Sequence, residues 1–214
     1  MVDYNSDEER FTAIVDFLKR NKKTILLTFS AIFFVAISSV SISAYQDTKN
    51  AKASALYDVW FAGNAADTPE LKKITNAFTS LQENFSNTGY AGLARVIKGS
   101  QFARDGDLDL SLQEFSELLD STSGLFGNDV LNSIARINIA RIELVNKNYS
   151  KALEALEPLN SNSEHSMVYE VKGDALAGLN KKELALAQYN LALLNMQDES
   201  QQSLLNMKIN YLTQ

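Results

Sequence analysis

The single histidine of this 214-residue chain, His165, stands in the run Ser161-Asn162-Ser163-Glu164-His165-Ser166, where hydroxyls, an imidazole and a carboxylate lie side by side. Those are the side chains of nucleophilic hydrolysis. A triad, however, is converged from separate parts of a fold, and neighbours in sequence do not supply its geometry. A solvated loop histidine is the reading that fits so polar a run. There is no second histidine and no cysteine, so neither a His- or Cys-ligated zinc site, a thiolate nucleophile nor a disulfide is available. Asp105-Gly106-Asp107-Leu108-Asp109 alternates like the start of a calcium loop. That pattern wants glycine at its sixth position and Glu at its twelfth, whereas here glycine is second and the twelfth position is Ser116. The run reads better as a helix-helix turn with an N-cap. With no phosphate-binding glycine loop, nucleophile elbow or paired-carboxylate motif either, the chain is expected to be no enzyme and to need no cofactor and no metal.

The most decisive element lies near the start. Residues 24–44 run for 21 positions without a charge, behind Lys19, Arg20, Lys22 and Lys23. A helix of that length rises about 31 Å, enough to cross the ~30 Å hydrocarbon core of a bilayer. The serines at 38, 39, 41 and 43 can bond back to helix carbonyls rather than face lipid bare. Four basic residues precede the stretch closely and only Lys49 and Lys52 follow it, so the positive-inside rule puts the N-terminus in the cytoplasm and the remainder across the membrane. Ser41 and Ser43 would pass at a cleavage site, but signal cores run about 7 to 15 apolar residues behind a short basic head. This head has 23 residues, five of them acidic. The expected organisation is a cytoplasmic segment 1–23, a transmembrane helix 24–44 and an exported domain 45–214.

Residues 45–214 suffice for one domain with a sizeable core. Their 15 basic and 21 acidic residues leave a net charge of −6, which disfavours binding to a phosphate backbone, so no nucleic-acid partner is expected. Prolines occur only at 69 and 158, and glycines fall between apolar-periodic segments. The predicted fold is all-α. Three segments share a register: Gly99, Ser111 and Phe115; Ala140, Ala152 and Leu156; Gly173, Ala185 and Tyr189. The small residues are 12 positions apart in each, and the large one follows four later. Small residues let two antiparallel helices approach and the large one fills the gap between them, so the spacing encodes a helical hairpin. Successive units are spaced 41 and then 33 residues apart, and the extra residues are placed in a loop over 121–129. The second unit departs from the pattern with Glu143 where an aromatic or leucine is usual. A helix with Leu71, Ile74, Phe78, Leu81 and Phe85 is predicted to start at Pro69 and to pair with 51–62. A last helix over 200–212, with Leu204, Leu205, Ile209 and Leu212, is predicted to cap the stack.

These units resemble tetratricopeptide repeats. Taken in order, the acidic head, Phe17-Leu18-Lys19-Arg20-Asn21 before a single span, Ala53-Ser54-Ala55-Leu56-Tyr57, the repeat-like helices and the terminal Met207-Lys208-Ile209-Asn210-Tyr211-Leu212 are similar to the YfgM family of ancillary SecYEG translocon subunits. Two features differ: Lys22 stands where glycine is usual, and the span lacks glycine and tryptophan. The resemblance implies a single-pass inner-membrane protein with a periplasmic repeat domain. It further implies partners in the SecYEG translocon, a PpiD-type periplasmic chaperone and exported client proteins, with hand-off of exported proteins to periplasmic chaperones and a link to envelope stress signalling.

A stack of hairpins presents a groove lined by its first helices, able to hold an extended or helical segment of a partner. The register puts Ser100, Arg141 and Asp174 at equivalent groove positions, with Arg104 and Glu170 close by. Leu125 and Phe126, between glycines, are candidates for a partner-touching loop tip or for a tucked-in core contact. Two functions follow: a membrane-tethered binding module beside the secretion channel, or a repeat scaffold holding an envelope-assembly complex together without chaperone activity.

Overall fold

A computed structural model describes residues 7–125, 127–159 and 166–213. His165 and its polar run, like Phe126, lie outside the described residues. Ten α-helices and no strand are found among those described: α1 (Asp7–Arg20), α2 (Lys22–Asn64), α3 (Leu71–Phe85), α4 (Gly89–Asp105), α5 (Leu108–Thr122), α6 (Asp129–Val145), α7 (Tyr149–Leu156), α8 (Ser166–Gly178), α9 (Lys182–Leu194) and α10 (Glu199–Thr213). The predicted all-α class is observed. The chain divides into two compact units, with the boundary between Lys52 and Ala53.

The first unit holds α1 and the apolar part of α2. α2 is the one helix among the described residues long and apolar enough to cross a membrane, and none of its apolar window is buried within the chain. Thr28 Oγ1 donates to the Thr24 carbonyl at 2.9 Å, the back-bond expected of a hydroxyl in an apolar helix. The serines at 38, 39, 41 and 43 form no such bond here, in contrast to the expectation.

The second unit is a succession of helices, each packed on the next, with α4 also touching α6, and α6 touching α8. This is the contact pattern of stacked hairpins. At its start Ala53 and Trp60 of α2 are buried with Ile74, Ala77 and Leu81 of α3 and Ala91 and Ala94 of α4. α3 begins at Leu71, not at Pro69; Glu70 occupies the cap position and its carbonyl accepts from Lys73 and Ile74.

The three registered hairpins are α4–α5, α6–α7 and α8–α9. Their marker residues are buried: Ser111, Phe115, Ala140, Ala152, Leu156, Ala185 and Tyr189 all have 3% exposure or less. A Cβ at Gly99 would lie 3.0 Å from Phe115, and one at Gly173 would lie 2.3 Å from Tyr189. Close approach of the helices is therefore what glycine supplies there. Ser111 adds a hydrogen bond from Oγ to the Gly99 carbonyl, 2.8 Å.

The turns repeat as faithfully as the helices. Gly106, Lys147 and Asn180, each seven residues after the first small marker, have φ of 89°, 61° and 58°. The next N–H in each case, from Asp107, Asn148 and Lys181, donates back to Phe102, Glu143 and Leu176. This left-handed closure satisfies carbonyls that the helix end leaves open. The expected helix-helix turn at 105–109 is present, but the Asp107 side chain forms no capping bond. Glu143, the departure from the repeat pattern, is buried and accepts a hydrogen bond from Asn148 Nδ2 at 2.7 Å.

The predicted inserted loop is shorter than 121–129. α5 runs through Thr122 and α6 opens at Asp129, capped by Asn128, whose Oδ1 accepts from Leu131 N–H at 3.0 Å. At the C-terminal end Leu205 is buried, with Ile209 and Leu212 packed beside it against α9. Leu204, expected to join them, is 61% exposed.

Candidate functional site

The repeat register draws attention to five polar residues, and their placement divides them. Ser100, Arg104 and Arg141 stand on α4 and α6 and form no side-chain hydrogen bond or ion pair among the described residues; both arginines are exposed. Glu170 and Asp174, one turn apart on α8, are brought together by Lys208 of α10. Its Nζ lies 2.7 Å from Glu170 Oε1 and 2.8 Å from both Asp174 oxygens. Tyr189 O–H donates to the same Asp174, 2.8 Å. Burial works against the Lys208 charge, but the hydrogen bonds it donates to Asp174 and Glu170 outweigh it and raise the pKa. The Tyr189 phenol is pushed well up, by burial first and then by the Asp174 and Glu170 charges. Beside this network lies a cleft of about 760 Å³ lined by α8, α9 and α10, including Asn180, Met207 and Tyr211. Leu125, at the loop tip, is 93% exposed.

A second cleft of the same volume, about 760 Å³, opens between the end of α2, α3, α4 and α5. Its wall is aromatic and apolar: Trp60 and Ile74 are buried, and Phe78 packs on Trp60 with ring centroids 5.7 Å apart. Helix α4 sends Arg95 and Lys98 into it, one turn apart; helix α5 sends Glu114 and Glu117, also one turn apart. Glu114 is almost fully buried and bridges both cations, 2.7 Å from Arg95 and 2.8 Å from Lys98, while Glu117 pairs with Arg95. Lys98 Nζ also sits 4.0 Å above the Phe78 ring, a favourable placement against the ring's negative face. Gln82 donates through Nε2 to the Ala91 carbonyl. Its Oε1 and the Arg95 Nε are buried without a partner among the described residues.

Charge in this cleft is uneven. Glu83, Asp105, Glu114 and Glu117 line it against Arg95 and Lys98 alone, and both cations are engaged by Glu114. Glu83 and Asp105 form no ion pair among the described residues. An open, aromatic-walled trough with surplus carboxylate has room for a side chain or chain segment, and its chemistry suits apolar and basic groups. Sequence reasoning missed this site because its walls come from two hairpins. The matched spacing of two cations on one helix and two carboxylates on the next is compatible with the cluster but does not single it out from ordinary solvated helix faces.

Comparison with known proteins agrees with the repeat architecture. A family model described as a tetratricopeptide repeat-like domain matches residues 16–214. Three similar proteins bear the name ancillary SecYEG translocon subunit. One from Buchnera aphidicola of Schizaphis graminum is 24% identical over 192 residues, 90% of this chain and 94% of its own. One from Aggregatibacter actinomycetemcomitans is 24% identical over 206 residues, 96% and 97%. One from Buchnera aphidicola of Acyrthosiphon pisum is 26% identical over 133 residues, 61% and 67%. No solved structure matches.

Proposed function

Because the chain belongs to the tetratricopeptide repeat-like domain family, we propose that it is an ancillary subunit of the SecYEG translocon, a membrane-tethered module that binds exported chains and passes them to periplasmic chaperones. In this reading residues 24–44 cross the inner membrane, residues 1–23 are cytoplasmic and residues 45–214 are periplasmic. The observation that carries it is end-to-end similarity: relatives named for the translocon align over nine-tenths or more of the chain, apolar stretch included. The asymmetry of basic residues around that stretch supports the orientation.

The work is binding, not bond-making. A tether confines the α3–α5 cleft close to the channel exit, which raises its effective concentration for emerging segments, so weak contacts suffice. A PpiD-type chaperone is the expected recipient. Crosslinking of native membranes followed by isolation of this chain should recover SecY, the chaperone and exported clients. Recovery of neither SecY nor its neighbours would remove the translocon reading. The scaffold alternative draws support from Lys208, which pairs with Glu170 and Asp174, two of the residues expected to line a groove. A scaffold would bind folded partners stoichiometrically and ignore denatured ones.

A further inference from the structure

Among the described residues, none covers the apolar side of helix α1. None of its residues is buried, and Phe11, Ile14, Phe17 and Leu18 are 48–69% exposed. At 100° per residue, these four and Val15 share an arc of about 160°, entered only by Asp7 and Arg10 at the N-terminal end of the helix. Glu8, Glu9, Thr12, Asp16 and Lys19 occupy the opposite side. The helix is amphipathic with its apolar stripe open.

Three features point to the occupant. Only Asn21 separates α1 from α2, whose apolar stretch begins at Thr24. Asn21 donates to the Phe17 carbonyl through both its backbone N–H, 3.0 Å, and its side-chain Nδ2, 2.9 Å. The basic residues are concentrated at the end nearest that stretch, Lys19, Arg20, Lys22 and Lys23, where lipid phosphates would lie, whereas Asp7, Glu8 and Glu9 are at the far end. A short amphipathic stripe binds a bilayer weakly alone, but one joined to a span is held at the surface at high effective concentration. We infer that α1 is an interfacial helix, its Phe11, Ile14, Phe17 and Leu18 face seated at the headgroup–acyl boundary of the leaflet that α2 enters. The inference rests on the reading of residues 24–44 as a membrane span.

The absence of cysteine makes single-label mapping direct. Full-length variants F11C, T12C, I14C, D16C, L18C and F33C, each spin-labelled, are reconstituted in phosphatidylethanolamine–phosphatidylglycerol nanodiscs, and collision with oxygen is compared with collision with a water-soluble nickel chelate. Positions 11, 14 and 18 should show an oxygen-to-nickel ratio several-fold above that of 12 and 16, in the same sense as position 33. Water-like values at 11, 14 and 18 alongside a lipid-like 33 would overturn the interfacial helix and leave the span intact. Shielding of 11, 14 and 18 from both reagents would also overturn it, since a protein surface would then be the cover. A water-like position 33 would take the span reading and this inference down together.

Discussion

The cleft at α3–α5 and the cleft at α8–α10 have equal volume and similar ingredients, yet they are finished differently. In the first, Glu114 is buried beneath two cations and further carboxylates remain at the rim. In the second, Lys208 from the terminal helix draws Glu170 and Asp174 inward. One charge cluster stabilises the wall of an open trough; the other ties down the helix that ends the stack. Clefts of equal size thus differ in where their counter-charge comes from, a neighbouring helix of the same hairpin in one and the last described helix in the other.

That contrast can be broken outright. A photo-crosslinking side chain in place of Gln101 should capture exported chains in native membranes, while the same side chain at Asn180 captures few; equal yields would erase the distinction. In stability, Glu114→Ala should show the largest change, about 2 kcal/mol, because it leaves the buried Arg95 with Glu117 alone and the half-buried Lys98 with no carboxylate partner. The urea midpoint of the full chain in detergent measures it, and a shift under about 1 kcal/mol would mean the pair is effectively solvated. Lys208→Met should lose only about 1 kcal/mol, since its partners are roughly a quarter exposed and solvent screens them.

The Lys208 network should also respond to alkali. The folded pKa of Lys208 lies above its ordinary 10.5, so its contribution is whole below that pH and disappears as pH climbs through the folded value. Tyr189 is likewise raised from 10.0; above pH 10 the unfolded chain loses that proton while the folded chain keeps it, which again favours unfolding. Denaturation midpoints should therefore fall above about pH 10, less steeply in Tyr189→Phe. A flat profile would contradict this account of the Asp174 network. The smallest effect belongs to the turns: Lys147→Gly should stabilise by about 0.5 kcal/mol, the relief of left-handed strain less the added freedom of the unfolded chain. Thermal unfolding can register it, and a loss of stability would show that the Lys147 side chain matters beyond its backbone.

The hairpins were legible in the amino-acid order because close helix approach restricts residue size at fixed separations; Gly99 with Phe115 and Gly173 with Tyr189 leave no room for alternatives. The turn at 105–109 was read from the sequence, whereas those at Lys147 and Asn180 were not, since neither is glycine although both adopt the left-handed conformation. Helix ends were less readable: Pro69 falls outside α3, and Ser121 and Thr122 continue α5, since favourable caps and loop-forming residues bias a boundary without setting it. The charged clefts were least legible. Glu114 carries no mark of its two partners on the preceding helix, and the link from Lys208 to Glu170 and Asp174 spans more than thirty positions. The register singled out Asp174 and Tyr189, with Glu170 beside them, but not Lys208, which joins the carboxylates.

Asp174 also has a bearing on biosynthesis. A chain growing from its N-terminus holds Tyr189 and both α8 carboxylates well before residue 208 has been added. The last hairpin therefore carries uncompensated negative charge until the final helix is in place. Without residue 208, Glu170 and Asp174 would face each other one turn apart with no cation between them, and the contact of α10 on α8 would be loosened.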